Sequence, residues 1–98
     1  MTRPGIALVG LGPGSQPHLK SLADLHDRVE LRHAVCRRTA QADLGPFSGR
    51  LAATADLDAV LADPAVHAVI VATPASTHLD IAGRCLAAGK HALVEKPL

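Results

Sequence analysis

Two groups of residues in this chain could do chemistry. Glu95-Lys96-Pro97 sets a carboxylate beside an ammonium, directly after the mostly apolar run His91 to Val94, and the proline fixes the backbone behind them. If that run is a buried strand of a parallel sheet, the lysine stands at the edge where ligands bind and can bring its charge to a substrate or cofactor. The second group is Gly10-Leu11-Gly12-Pro13-Gly14-Ser15, in which Gly10, Gly12 and Ser15 take the three small-residue positions of a phosphate-cradling turn. Each group alone has a plainer reading, a solvated charge pair in one case and an ordinary loop in the other. Their place in the chain decides.

The elements that must position them can be followed along the sequence. Ile6 to Val9 is a continuous apolar run entering the glycine turn, as a buried parallel strand does. Leu19, Leu22 and Ala23 recur at helical spacing, and Val29 to Cys36 reads as a second strand. Arg37 to Ser48 is polar and irregular with room for one helical turn, and Arg50 to Thr54 is a short edge strand. Asp56 caps a helix whose inward face carries Leu57, Val60 and Leu61, and Asp63-Pro64 stops it. Ala68 to Ala72 is a central strand. Thr77 and Asp80 have the spacing of a capping box, and the helix after them places Leu79, Ala82 and Leu86 on one apolar side, with Ile81 and Cys85 adjacent. Gly89 ends that helix in the left-handed conformation, before the last strand.

Strands alternating with helices imply an α/β fold, a doubly wound parallel sheet of five strands in the order 3-2-1-4-5. Residues 1 to 98 then form one dinucleotide-binding domain of the Rossmann type, with no substrate domain in the chain. The open edge left by an absent sixth strand is a surface through which copies of the chain could pair as a homo-oligomer.

Composition limits the function. Ten basic against nine acidic residues give a formal charge of +1, too little field to gather nucleic acid or an anionic membrane. With Phe47 the one aromatic residue, the core must be built from Leu, Val, Ile and Ala. Cys36 and Cys85 lack CxxC spacing and read as reduced core residues of a cytoplasmic protein. The apolar run near the amino terminus is too short for a signal peptide or a membrane span.

At the junction of the first strand and helix, the glycine turn is where a dinucleotide pyrophosphate would lie, touching Gly10, Gly12, Pro13, Gly14 and Ser15. Pro13 and Pro17 lack amide hydrogens and reduce the number of donors, although Pro17 is tolerated in a first helical turn. Adenosine ribose hydroxyls would meet the end of the second strand, where a carboxylate selects NAD. Cys36-Arg37-Arg38-Thr39 stands there instead, and two guanidiniums suit a 2′-phosphate. NADP is therefore the favoured cofactor and NAD the alternative.

The ordered set of Ile6 to Gly12 with His18 downstream, Asp56 to Leu61 with Asp63-Pro64, Ala68 to Pro74 with His78, and Ala87 to Leu98 resembles the amino-terminal domain of the glucose-fructose oxidoreductase and inositol dehydrogenase family, Gfo/Idh/MocA. The resemblance implies that Lys96 lies near the nicotinamide and the substrate hydroxyl as a catalytic residue, with Glu95 orienting it. Thr73 and Pro74 would line the cofactor, and His78 belongs either to that loop or to a helix cap. It also implies a sugar, polyol or related hydroxy compound as substrate, held by a carboxyl-terminal domain, so that the 98 residues alone would be inactive. Two other readings stay open: a non-catalytic nucleotide-binding module, and a different Rossmann protein of the CoA-binding or amino-acid dehydrogenase kind. Six histidines without an HExxH or Cys/His cluster predict no metal site. Neither a GxSxG elbow nor a P-loop is present.

Overall fold

The computed structural model describes residues 3–95. Five strands, β1 (Gly5–Val9), β2 (Glu30–Val35), β3 (Ala53–Thr54), β4 (Val66–Val71) and β5 (His91–Val94), pair in parallel in the order β3-β2-β1-β4-β5. The helices between them are α1 (Gln16–Asp24), α2 (Leu57–Ala62) and α3 (His78–Ala87). β1 lies in the middle and is buried toward both faces. Leu8 packs with Leu19 and Leu22 of α1 on one side, while Ala7 and Val9 meet the α2 and α3 side, where Val60 and Cys85 close the core. α2 starts as the sequence implies, with the Asp56 carboxylate accepting from the Ala59 amide at 3.0 Å.

Four expectations need correction. α3 is rotated relative to the reading of its sequence: Leu79 is 88% and Leu86 63% exposed, and the inward stripe is His78, Ile81 and Cys85. That stripe has the i, i+3, i+7 spacing of a packed face, and a buried histidine holds one of its positions because the ring has a backbone partner. Thr77 stands at the N-cap without capping: its hydroxyl donates to the Pro74 carbonyl (2.7 Å) and lies 2.6 Å from Thr73 Oγ1. β3 is only Ala53–Thr54, because Arg50 and Leu51 are spent on bonds to the Phe47 carbonyl. β5 has the expected bounds but is half-exposed rather than buried, since it forms the sheet edge and its Leu93 side is left 58% open. Cys85 is fully buried, which pushes its thiol pKa up, whereas Cys36 is only half-buried; both are free. No helix among the described residues is long and apolar enough to cross a membrane.

The amino ends of the strands are tied by Asp63. Its Oδ2 accepts from His33 Nε2 (2.7 Å) and Arg32 Nε (3.1 Å), its Oδ1 from the Ala65 amide (2.9 Å), and its carbonyl from Lys90 Nζ (2.9 Å). The His33 bond first, then the Ala65 amide and Arg32, hold this carboxyl far below its ordinary value of 3.8. A depressed carboxyl adds stability that is complete above the unfolded value and lost as pH falls toward the folded one. The wild-type chain should therefore exceed Asp63→Asn in urea midpoint at about pH 6, with the gap shrinking at about pH 2.5. A gap that does not change with pH would contradict this account of Asp63.

Candidate functional site

β1 delivers the chain into a turn that only glycine can make. Gly10 has φ +100°, its amide donates to the Val35 carbonyl at 2.8 Å, and a Cβ there would stand 2.7 Å from the Ala72 carbonyl oxygen. The turn is thus clamped between the ends of β2 and β4. Gly12 is different: its φ is −75°, open to any residue, and a Cβ would meet nothing within 4 Å. A side chain is missing where the backbone faces free space rather than protein.

Pro13–Ser15 form one 3-10 turn that runs into α1. Ser15 is fully buried, and both its amide (3.0 Å) and its hydroxyl (2.7 Å) donate to the Gly12 carbonyl. The hydroxyl thus locks the turn from beneath and does not face the cavity. Gln16 donates its amide to Pro13, and Pro13 has no amide hydrogen to give. The amides of Leu11, Gly12 and Gly14 remain, without a backbone acceptor among the described residues. Pro17 falls in the first turn of α1, where its missing hydrogen costs no intrahelical bond.

Above the turn lies a cavity of about 840 Å³ across the carboxyl ends of β1, β2 and β4. Its floor is Gly10, Gly12, Pro13 and Gly14; Cys36, Arg37 and Leu57 form one side, and Thr73, Pro74 and Thr77 the other. Seven of the expected site residues, Gly10, Gly12, Pro13, Gly14, Arg37, Thr73 and Pro74, therefore meet in one space. Arg38 is exposed outside that lining. His78 is 95% buried behind the wall, where Nε2 donates to the Thr73 carbonyl at 2.6 Å and Nδ1 has no partner among the described residues. Its observed part is to hold Thr73. Glu95 follows β5, with its amide on the Val71 carbonyl (3.0 Å) and its carboxylate paired to Nε2 of His18 on α1. Glu95 does not line the cavity, and its His18 partner was not foreseen from the sequence; Lys96 and Pro97 lie outside the described residues.

The sequence reading also missed Asp80, Ile81 and Arg84, which line the same cavity from α3, with Arg84 further bonded to Asp58. Their spacing from Thr77 was the available signal, since positions 77, 80, 81 and 84 share one helix face. A smaller cavity of about 510 Å³ lies at the other end of the sheet, between Leu22, His26, Phe47 and Arg50, away from the turn.

The residues present fit a dinucleotide. Clear space over Gly12, three free amides, the positive end of α1 and a guanidinium at the β2 end are what two linked phosphates and an adenosine ribose require. A doubly wound parallel sheet with its glycine turn where the strand order reverses defines the class of nucleotide-binding Rossmann domains. Within that class the chain belongs to the Gfo/Idh/MocA oxidoreductase family, matching its NAD-binding Rossmann fold over residues 5–98. It is 37% identical over 92 residues to the uncharacterized oxidoreductase YhhX of Escherichia coli. It is 38% identical over 94 residues to the 4-carboxy-2-hydroxymuconate-6-semialdehyde dehydrogenase of a Sphingobium species. These matches cover 93% and 95% of the chain but only 27% and 30% of the two relatives. Among solved structures, GenD2 from gentamicin A biosynthesis, in complex with NAD, is 44% identical with a TM-score of 0.87, over 100% of this chain and 28% of that one.

Proposed function

We propose that residues 5–98 are the cofactor-binding domain of a two-domain oxidoreductase that prefers NADP and acts on a sugar, polyol or related hydroxy compound. When bound, the nicotinamide supplies or accepts the hydride. Gly10 shapes the turn, and the amides of Leu11, Gly12 and Gly14 hold the pyrophosphate. Thr73 and Pro74 line the cofactor on the β4 side, and Lys96, following Glu95, brings an ammonium to the reacting hydroxyl. Substrate would be held by a second domain, so the 98 residues bind cofactor without turning it over. A cytoplasmic setting suits the two free thiols.

The observation carrying the cofactor preference is Arg37, on the cavity wall at the end of β2, with no carboxylate among Cys36 to Thr39. A guanidinium pairs with a 2′-phosphate and offers no acceptor to ribose hydroxyls. Equilibrium titration of the chain should show NADPH binding about tenfold tighter than NADH, and Arg37→Asp should reverse the order. A second reading, preference for NAD, is favoured by the NAD complex of the 44% identical GenD2. Tighter NADH binding by the wild-type chain would establish that reading instead.

A further inference from the structure

We propose that His18 is a positioning residue for the nicotinamide end of the site, acting through the carboxylate of Glu95. The inference rests on the cofactor reading above. Dinucleotides straddle the reversal of strand order, and with the adenosine half assigned to the β2 side by Arg37, the nicotinamide half falls on the β4 and β5 side. β5 is weakly held there. It pairs with β4 alone, Ala92 and Val94 pack toward α3, and on the α1 side Leu93 is 58% exposed with no helix over it among the described residues.

On that bare side the tie between the end of β5 and α1 is the pair His18 Nε2 to Glu95 Oε1, with side chains 20% and 41% exposed. His18 is the third residue of α1, whose first turn begins directly after the glycine turn and contains no acidic residue of its own. The Glu95 carboxylate brings a negative charge to that first turn from 77 positions away in sequence. One interaction thus fixes the spacing between the glycine turn and the carboxyl end of β5. Neither the His18 ring nor Glu95 lines the main cavity, so the pair acts on a ligand by fixing the end of β5 against α1 and not by touching it.

The test compares NADPH with 2′-phospho-ADP-ribose, which keeps the adenosine half and pyrophosphate but lacks the nicotinamide. His18→Ala should weaken NADPH binding about tenfold, leave 2′-phospho-ADP-ribose within about twofold, and be largely rescued by His18→Gln, whose amide can still donate to Glu95. In the ligand-free chain, His18→Ala should also speed hydrogen exchange of the Glu95 amide, which is bonded to Val71, while amides of β1 keep their protection. Equal weakening of both ligands, or no change in either, would overturn the proposal. Failure of the wild-type chain to bind either ligand would overturn the cofactor reading, and His18's role at the nicotinamide end with it. A wild-type chain that binds both while Glu95 exchange is unaffected by His18→Ala would overturn the positioning role alone.

Discussion

Gly10→Ala should destabilise the domain by about 3 kcal/mol or more, a large share of the roughly 5 to 15 kcal/mol that folded domains possess. Two costs combine. The left-handed backbone at φ +100° costs a residue with a Cβ about 1 to 2 kcal/mol. The added methyl would also stand 2.7 Å from the Ala72 oxygen and 2.8 Å from its carbonyl carbon, and both belong to backbone that cannot swing aside. Gly49→Ala is the control, because Gly49 has φ +80° with nothing within 4 Å of an added Cβ. It should lose about 1 kcal/mol, so that the difference between the two variants measures the close approach of β1's end to β4's end. Urea unfolding of both variants decides the matter, and equal losses would show that the crossing at Ala72 is not tight.

Gly12→Val should do the opposite: leave stability within about 0.5 kcal/mol and weaken dinucleotide binding about 100-fold or more. Its backbone is extended and allowed to any residue, and no protein atom lies within 4 Å of a new Cβ, so folding has little reason to exclude valine. The same open space is where the proposed pyrophosphate reaches the free amides of Leu11, Gly12 and Gly14, and a branched side chain would fill it. Calorimetry with NADPH, alongside thermal unfolding, separates the two effects. A variant that binds as tightly as wild type would move the phosphate site elsewhere.

What could be read from sequence was what short-range pattern determines. The apolar run to Val9 entering Gly10 placed the turn, Asp56 placed the start of α2, and the alternation of strands and helices implied the observed order β3-β2-β1-β4-β5. The bounds of β5 were also legible, because Gly89, at φ +79°, and the change in pattern after it are local signals. The rotation of α3 was not, since Leu79 and Leu86 repeat at a helical period as well as His78 and Cys85 do. What separates the two stripes is the Thr73 carbonyl waiting for His78.

Long-range partners were hidden for the same reason. His18 and Glu95 are 77 positions apart, and nothing near either residue shows that the fold joins them. A Cβ on Gly5 would come within 2.1 Å of the Ala65 oxygen, a constraint imposed by a loop sixty positions away. In the site, seven residues named from motif positions do line one cavity. Ser15 and His78 lie behind its surface because small and buried polar residues can support a turn without facing it.

The most direct test of the central claim is an amide-resolved NMR titration of the 98-residue chain with NADPH. The account predicts saturable shifts at Leu11, Gly12, Gly14, Arg37 and Thr73, the floor and walls of the large cavity. Shifts confined to Leu22, Phe47 and Arg50 at the opposite end of the sheet, or none at saturating ligand, would contradict it.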